Sequence, residues 1–234
     1  MRYSSVVSAR FLSRPNRFIA HVELDGTVET VHVKNTGRCR ELQVPGAAVY
    51  LSSALNPTRK TRYDLIAVEK VLPNGKPLLI NMDSQVVNEI TAEWLDRTSS
   101  PDVTIRREVP FGSSRFDFQL TEGDRQTYLE VKGVTLEDNG IVRFPDAPTL
   151  RGTKHLRELI RAKELGFGAC VLFVVQMNGV RVFRPNEKTD PAFAAALREA
   201  AAAGVEIRAM DCLVTPDSIS IDQEIPVELT ETGS

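Results

Sequence analysis

The sequence has few cysteines, few aromatic residues and no long apolar run. Its 234 residues include three cysteines and one tryptophan. Cys39, Cys170 and Cys212 are odd in number, far apart and without metal-ligand spacing, which predicts buried free thiols in a reduced, cytoplasmic protein. No stretch of about 18 apolar residues occurs, and no basic end precedes an apolar run. We therefore expect neither a membrane span nor a signal peptide.

The chain also lacks a strong net charge, but its charges are unevenly distributed. The formal net charge is -2, yet residues 1–80 contain 12 Lys and Arg against 6 Asp and Glu, and the remainder contains 17 against 25. One part is thus suited to attract polyanions, and the other has surplus carboxylates. Ordinary surface variation explains the same numbers equally well.

The first 82 residues show strand patterns separated by Gly and Pro turns. Asp25-Gly26 is a tight-turn pair typical of a hairpin. The predicted strands are 17–24, 27–33, 47–54, 63–72 and 78–82. Five short strands favour an oligonucleotide-binding (OB)-like five-stranded β-barrel over residues 1–82. A small SH3-like barrel is the alternative.

The spacing of apolar residues changes after Met82, from the alternation of strands to the period of helices. Helical spacing covers 86–97, 150–165 and 191–203, and Asp190 and Pro191 predict the start of the last helix. Strand patterns lie between the helices, and the apolar run 169–176 is typical of a central strand buried on both faces. This order predicts a mixed-sheet α/β domain over 83–234. Its acidic C-terminal tail, after Pro216, is expected to be partly disordered or a last edge element.

Two runs in this second part bring acids and a base together. Phe116-Asp117-Phe118 and Leu129-Glu130-Val131-Lys132 read as neighbouring antiparallel strands. Because strand side chains alternate between faces, Glu130 and Lys132 share one face, and Asp117 arrives beside Glu130. Two carboxylates and an ammonium are costly to desolvate unless they hold a cation or activate a water. The pattern therefore predicts a divalent-metal phosphodiesterase site.

In this hypothesis Asp117 and Glu130 bind one or two Mg²⁺ or Mn²⁺ ions, and Lys132 orients the attacking water and offsets phosphorane charge. Glu93 is predicted to supply a third carboxylate, with Glu89 as its substitute one helical turn earlier. The alternative is structural: Glu130 pairs with Lys132 on a solvated sheet face, and Asp117 pairs with Arg115. The residue pattern leaves both interpretations open.

Basic residues in both parts predict a nucleic-acid surface. Their charges would contact phosphates and carry affinity without sequence information. The predicted nucleic-acid-binding residues are Arg14, Arg17, Lys34, Arg38, Arg40, Arg59, Lys60, Arg62, Arg151, Lys154 and His155. Phe18 is expected to pack in the core rather than to stack on bases. For Arg151, Lys154 and His155 the alternative is a solvated helix face on which Lys154 pairs with Glu158.

Several long runs resemble the sugar fermentation stimulation protein family. They are Asn35-Thr36-Gly37, Asn56-Pro57, Arg106-Arg107-Glu108-Val109, Ser113-Ser114-Arg115-Phe116-Asp117-Phe118, Glu130-Val131-Lys132-Gly133-Val134-Thr135-Leu136, Phe144-Pro145-Asp146-Ala147, Thr149 to Leu156 and Phe173-Val174-Val175-Gln176. The resemblance covers nearly the whole chain. It implies an OB barrel joined to a domain of restriction-endonuclease-like, PD-(D/E)xK nuclease type, and an association with DNA.

The family's nuclease-like pattern maps onto Glu93, Asp117, Glu130 and Lys132, and it implies that the Val131 carbonyl also meets the metal. Gly133 is a departure, because many members have Asn at that position. Three functions remain: a metal-dependent nuclease acting on double- or single-stranded DNA, a non-catalytic DNA-binding regulator of sugar (maltose) metabolism, and a protein-interaction barrel.

Overall fold

The computed structural model describes residues 1–35, 37–54 and 58–230. Thr36, Asn56 and Pro57, which belong to two of the family motifs, lie outside the described residues, as does the end of the acidic tail at 231–234. Within the described part of the chain, no helix is both long enough and apolar enough to cross a bilayer.

The first part of the chain is a closed barrel. Its strands are β1 (Val6–Ser13), β2 (Ile19–Leu24), β3 (Thr27–Val33), β4 (Ala48–Ser53), β5 (Tyr63–Val71) and β6 (Pro77–Asn81). They lie in the order β3-β2-β1-β4-β5-β6, and a parallel pairing of β3 with β5 closes the barrel over β1–β5. The five-stranded OB-like prediction is confirmed. The sequence pattern missed β1 as a separate strand, although it pairs with both β2 and β4.

The β2–β3 hairpin has the turn that its residues predict. Asp25 and Gly26 have φ values of 50° and 76°. A two-residue turn with both φ values positive matches the twist of the flanking strands, and Asp-Gly tolerates it. The inward side chains of the barrel, including Phe11, Val22 and Leu51, are at most 1% exposed.

The second part of the chain is an α/β unit. Its elements are α1 (Val86–Thr98), β7 (Thr104–Phe111), β8 (Ser114–Glu122), β9 (Arg125–Val134), β10 (Leu136–Asp138), β11 (Ile141–Phe144), α2 (Leu150–Glu164), β12 (Gly168–Val175), β13 (Val182–Pro185), α3 (Pro191–Ala202), β14 (Glu206–Thr215) and β15 (Ser218–Glu224). The main sheet has the order β15-β14-β12-β9-β8-β7, and β10-β11-β13 form a smaller sheet. Strands β9, β12 and β14 are parallel, whereas the edge pairings are antiparallel. The mixed-sheet prediction is confirmed.

Local chemistry explains where the helices start. Thr149 accepts a hydrogen bond from the Gly152 N–H at 3.0 Å, and Asp190 accepts one from the Phe193 N–H at 2.9 Å. Both side chains satisfy donors that the first helical turn leaves without partners. The predicted start of α3 at Asp190 and Pro191 is confirmed.

In the second part, neither β13 nor β15 was predicted as a separate strand. β13 has only four residues and pairs with β11, about 40 positions earlier, so no local period marks it. β15 lies in the acidic tail and pairs antiparallel with β14, which agrees with the edge-element alternative. Its exposed Asp222 and Glu224 suit an edge, because charges there discourage pairing with other chains.

A buried polar network joins the barrel to the sheet. The Asn81 N–H donates to the Gln176 carbonyl at 2.9 Å, and the Gln176 amide donates to Asn81 Oδ1 at 3.0 Å and to the Asp83 carbonyl at 2.9 Å. Lys34 of the barrel also lies 3.2 Å from Asp83. One hydrophobic cluster contains residues of both parts. These contacts hold the barrel surface in a defined position relative to the second part.

The three cysteines are free and buried, as predicted. Burial raises the pKa of the Cys39 and Cys170 thiols to about 12. These thiols therefore stay protonated at neutral pH and act as small core residues.

Candidate functional site

Asp117 and Glu130 meet where two strands stop pairing. The last paired residues of β8 and β9 at this end are Phe118 and Leu129, although both strands continue. Asp117 and Glu130 occupy the next register position. There the Val131 N–H donates to Asp117 Oδ2 at 2.7 Å, and the Asn88 amide donates to Oδ1 at 2.8 Å. The carboxylate thus takes a backbone donor that the β8 ladder leaves free.

The pairing of β8 with β7 is also interrupted at Asp117. On either side of it, Arg107 pairs with Phe118 and Val109 pairs with Phe116. Glu108, which the register places opposite Asp117, has a φ of 54°. A non-glycine residue in this region is strained, and such strain is concentrated at functional sites.

Glu130 is held from one side only. It is 3% exposed. Its Oε1 accepts hydrogen bonds from the Lys132 ammonium at 2.5 Å and from His155 Nδ1. Within the described part of the chain, Oε2 is buried and has no hydrogen-bond partner. A buried carboxylate oxygen without a donor is costly unless a cation or water meets it.

The two carboxylates differ in their proton affinity. Burial raises the pKa of Asp117, and the nearby Glu130 charge raises it further, against the hydrogen bonds from Val131 and Asn88. Burial also pushes the pKa of Glu130 upward, but His155 and Lys132 outweigh it, so the pKa of Glu130 is lowered. The two shifts run in opposite directions, and a cation would relieve the repulsion between Asp117 and Glu130.

The structural alternative from the sequence is only partly met. Lys132 does pair with Glu130, but the two side chains are 14% and 4% exposed, so they do not lie on a solvated face. Arg115 lies 3.8 Å from Glu108 instead of pairing with Asp117. Asp117, Glu130 and Lys132 thus form the predicted cluster.

The third acid predicted from α1 is not part of this cluster. Glu93 accepts a hydrogen bond from the N-terminal amine of Met1 at 2.6 Å, and Glu89 pairs with Arg107 at 2.6 Å. Asn88 is the α1 residue that faces Asp117. Because successive helical residues are about 100° apart, Glu89 and Glu93 are turned about 100° and 140° away from Asn88. The sequence pattern located the helix correctly but not the face that it presents.

Gly133 has a steric reason in this chain. A Cβ there would lie 2.7 Å from Gln176 Oε1 and 3.1 Å from Val87 Cγ1. The missing side chain lets Gln176 approach β9 while its amide holds Asn81 and Asp83. The departure from Asn at Gly133 therefore belongs to the junction of the two parts.

Three of the predicted phosphate-binding residues, Arg14, Lys34 and Arg59, already have hydrogen-bond or ion-pair partners within the protein. The Arg14 guanidinium donates to the carbonyls of Asn35 at 2.6 Å and Arg17 at 2.9 Å, and it makes further bonds to residues 16, 37, 38 and 43. Its donors hold the loops together. We therefore assign Arg14 a structural role, because a phosphate would have to displace these bonds.

Lys34 and Arg59 are paired with a buried acid. Lys34 lies 3.3 Å from Asp64 and Arg59 lies 2.8 Å from it, and His32 Nδ1 lies 3.0 Å away. Burial raises the pKa of Asp64, but Arg59, Lys34 and His32 outweigh it, so the pKa is lowered. The two cations neutralise Asp64 and are not free surface charges.

Other predicted cations meet in one groove of the barrel. This groove has a volume of about 720 Å³, and Arg17, Arg38 and Arg40 line it together with Arg14 and, from the second part, Ala147. The three arginines are exposed. Phe18, expected in the core, is 54% exposed. The Arg17 guanidinium lies 5.9 Å from the centre of the Phe18 ring. That prediction was wrong, because Phe18 precedes β2 and points outward.

The two remaining barrel cations lie in the β4–β5 connection. Lys60 and Arg62 are exposed. The Arg62 guanidinium lies 5.5 Å from the Tyr63 ring centre and 3.8 Å from Glu29. Solvent screens such contacts, so these charges stay available to a polyanion.

A second cleft opens beside the carboxylate cluster. Its volume is about 570 Å³, and Ser113, Arg115, Arg151, Lys154 and His155 are among its lining residues. Lys154 donates to the Ser113 carbonyl at 2.9 Å. His155 is 5% exposed and contacts Glu130. It was predicted to bind phosphate from the surface, but it forms the buried wall between the cleft and the cluster.

The acids of this site are few for a protein metal centre. Across residues 1–35, 37–54 and 58–230, no group of three or more His, Cys, Asp or Glu side chains is arranged to hold a metal ion. Asp117 and Glu130 supply two carboxylates, and the unpartnered Oε2 of Glu130 fits a hard cation. Mg²⁺ is commonly held in this way, through one or two carboxylates, with water and substrate phosphates as the other ligands.

Comparison with known proteins gives matches to both parts of the chain. The family model described as "SfsA N-terminal OB domain" matches residues 12–76, and the one described as "Sugar fermentation stimulation protein RE domain" matches residues 84–218. The solved structure titled "The structure of Pyrococcus Furiosus SfsA in complex with Ca2+" has a TM-score of 0.82 and 30% identity, and the match covers 97% of this chain and 98% of that one.

Curated relatives match over nearly the full length. The "Sugar fermentation stimulation protein homolog" of Desulfitobacterium hafniense (strain Y51) is 52% identical over 99% of this chain and 100% of its own length. The protein of the same name from Clostridium beijerinckii is 49% identical over 98% of this chain and 100% of its own length. The chain belongs to the sugar fermentation stimulation protein family.

Proposed function

We propose that this protein binds DNA along its basic groove and cleft and hydrolyses phosphodiester bonds at Asp117 and Glu130 with the help of a divalent cation. The observation that carries the proposal is the convergence of these two carboxylates where β8 and β9 part, with Lys132 on one of them. A structural salt bridge has no need of Asp117, whose charge raises the cost of burying Glu130.

The residues of the site fit Mg²⁺ or Mn²⁺. Asp117 and the free Oε2 of Glu130 would hold the cation. In an extended strand the N–H and C=O of one residue point to the same side, so the Val131 carbonyl is directed, like its N–H, toward Asp117. The related Pyrococcus protein was solved with Ca²⁺, another cation that prefers oxygen ligands. When bound, such a cation polarises a phosphoryl oxygen and lowers the pKa of a bound water.

Lys132 is the residue that would act on the phosphoryl group. Its ammonium is 14% exposed and lies 2.5 Å from Glu130 Oε1. Fixed by Glu130, it presents a positive charge where negative charge develops in the transition state. This positioning costs no rearrangement during the reaction.

The groove and the cleft together would hold the DNA backbone. Ala147 lines the groove and Leu150 lines the cleft. Three residues of chain span at most about 10 Å, so the two surfaces are neighbours. Arg17, Arg38 and Arg40 on one side and Arg151 and Lys154 on the other would give a continuous positive track to the carboxylates.

A second candidate is a DNA-binding protein that acts by occupancy, without hydrolysis. The observation that favours it is that, within the described residues, no third acid joins Asp117 and Glu130, because Asn88 is the α1 residue that faces Asp117. The relatives' name, sugar fermentation stimulation protein, is compatible with a regulatory role. The exposed arginines of the groove give the barrel a positive surface, which suits a polyanion.

The test is cleavage of labelled duplex and single-stranded DNA with Mg²⁺ or Mn²⁺. We expect Asp117→Asn and Lys132→Gln each to lower the rate about 100-fold or more. DNA affinity measured in EDTA should change little. The matched controls are Asp124→Asn and Lys76→Gln, which alter exposed residues outside the site.

Three outcomes separate the candidates. Undiminished cleavage by both site variants would place the active site elsewhere. No turnover with either metal, combined with sequence-selective binding, would favour the regulator. The absence of salt-sensitive DNA binding by the wild-type protein would remove both candidates.

A further inference from the structure

His155 lies between the carboxylate cluster and the cleft, and it contacts both. Its Nδ1 contacts Glu130 Oε1, and its Nε2 lies 3.4 Å from Arg151 Nε. Arg151 and His155 are four residues apart on α2, so they share a helix face. His155 is 5% exposed, so most of its ring is buried behind the lining of the cleft.

The contacts with Glu130 and Arg151 agree on the tautomer of the neutral imidazole, because the ionised Glu130 carboxylate only accepts hydrogen bonds and Nδ1 faces it. A guanidinium is always a donor and has no acceptor atom. Nε2 of His155 must therefore accept from Arg151, so the proton of the neutral ring is on Nδ1. Nδ1–H then donates to Glu130 Oε1. Arg151, His155 and Glu130 thus form a hydrogen-bonded chain in one direction.

The hydrogen bonds that run from Arg151 through His155 end on one oxygen of Glu130. Lys132 and His155 both donate to Oε1, whereas Oε2 has no partner within the described residues. The carboxylate is therefore held against rotation, with one oxygen occupied and the other free. A carboxylate fixed in this way loses less entropy when it binds a cation.

We propose that His155, held by Arg151, is a positioning residue that keeps Oε2 of Glu130 available for the divalent cation. The inference rests on the proposed function only in taking Glu130 as a cation ligand. Hydrogen-bond partners of metal ligands typically contribute 10- to 100-fold in metal affinity.

The first test measures Mn²⁺ affinity by calorimetry without DNA. We expect His155→Ala to weaken binding about 10-fold to 100-fold. His155→Asn should stay within about threefold of the wild type, because its amide nitrogen can donate where Nδ1 does. Arg151→Ala should fall between them, and the control Arg157→Ala changes an exposed residue of the same helix. Thermal melts in EDTA identify any variant that does not fold.

Unchanged affinity in His155→Ala would overturn the inference and leave the proposed function standing. An equal loss in His155→Asn and His155→Ala would also overturn it, because packing alone would then explain the effect. Failure of the wild-type protein to bind Mn²⁺ would instead reject the proposed function.

The second test needs no metal. Nitrogen-15 NMR of the imidazole distinguishes the two neutral tautomers, and we expect the Nδ1–H form for His155 in the wild-type protein. Observation of the Nε2–H form would overturn the inference.

Discussion

The Val131 N–H donates to the carboxylate of Asp117 at 2.7 Å, just beyond the paired part of β8 and β9. The Asp117 carboxylate accepts this hydrogen bond in place of a backbone carbonyl of the neighbouring strand. The parting of the two strands therefore creates the site and also satisfies the donor that it leaves free.

The first prediction concerns the cost of Asp117 to the fold. Its folded-state pKa lies above the ordinary value of about 3.9, so the ionised form destabilises the protein without metal. This loss is absent below the unfolded-state pKa and grows as the pH rises through the folded-state pKa. In EDTA at pH 7, Asp117→Asn should be more stable than the wild type by about 0.5–2 kcal/mol.

Urea unfolding as a function of pH measures this effect. The two proteins should converge below about pH 4, where Asp117 is protonated in both states. Asp124→Asn, at an exposed turn, should follow the wild type at every pH. A lower stability of Asp117→Asn at pH 7 would contradict the prediction.

The second prediction concerns the cation. A ligand at 100 times its Kd stabilises the folded state by about 2.7 kcal/mol. For a chain of this size, each kcal/mol raises the melting temperature by about 2–4 °C. Mn²⁺ should therefore raise the melting temperature of the wild type by about 5–10 °C and leave Glu130→Gln nearly unchanged. An equal rise in both proteins would show that the cation binds elsewhere.

The third prediction concerns the groove. Replacing Arg17, Arg38 and Arg40 together by Ala should weaken DNA binding and reduce the salt slope by about three, one for each phosphate that is no longer neutralised. The matched control replaces Lys76, Arg125 and Lys188, which are exposed elsewhere. Fluorescence anisotropy at several salt concentrations gives both slopes. The groove assignment fails if the two triple variants lose affinity equally.

The fourth prediction concerns Asp64, which pairs with Arg59 and Lys34. Asp64→Asn leaves these cations with less compensation and should cost roughly 1–3 kcal/mol at pH 7. Because the folded-state pKa of Asp64 is lowered, its contribution is present above about pH 4 and is lost as the pH falls through that lowered value.

Denaturant unfolding at pH 7 and pH 3 checks this dependence. The difference between wild type and Asp64→Asn should shrink at the lower pH. Asp217→Asn is the control, because Asp217 is an acid of the surface that pairs with the exposed Arg2. Its substitution should leave the free energy of unfolding nearly unchanged, since solvent screens an exposed pair.

Much of the fold was predictable because local chemistry decides it. Asp25 and Gly26 form a turn with two positive φ values in any context that allows a hairpin, and Asp190 caps α3 through its own side chain. The apolar run of β12 is buried on both faces as its composition predicts. β13 escaped prediction because its pairing with β11 depends on residues distant in the chain.

The candidate site was predictable only in part. Asp117, Glu130 and Lys132 follow from strand alternation and a short connection, and the structure brings them together. Glu93 and His155 were misplaced because helical spacing shows which residues share a face but not which face meets the sheet. Arg14 and Lys34 were counted as surface charges because composition does not reveal that Arg14 donates to backbone carbonyls and that Lys34 pairs with buried acids.

The sequence by itself determined the barrel, the mixed sheet and the pair of strands that carries the two acids, because these depend on periods and turns within short stretches. Only the tertiary structure decided that Asn88 rather than Glu93 faces Asp117, that His155 contacts Glu130, and that four arginines line one groove. These relationships depend on the rotation of helices and the docking of the barrel, which are set by packing between residues far apart in the chain.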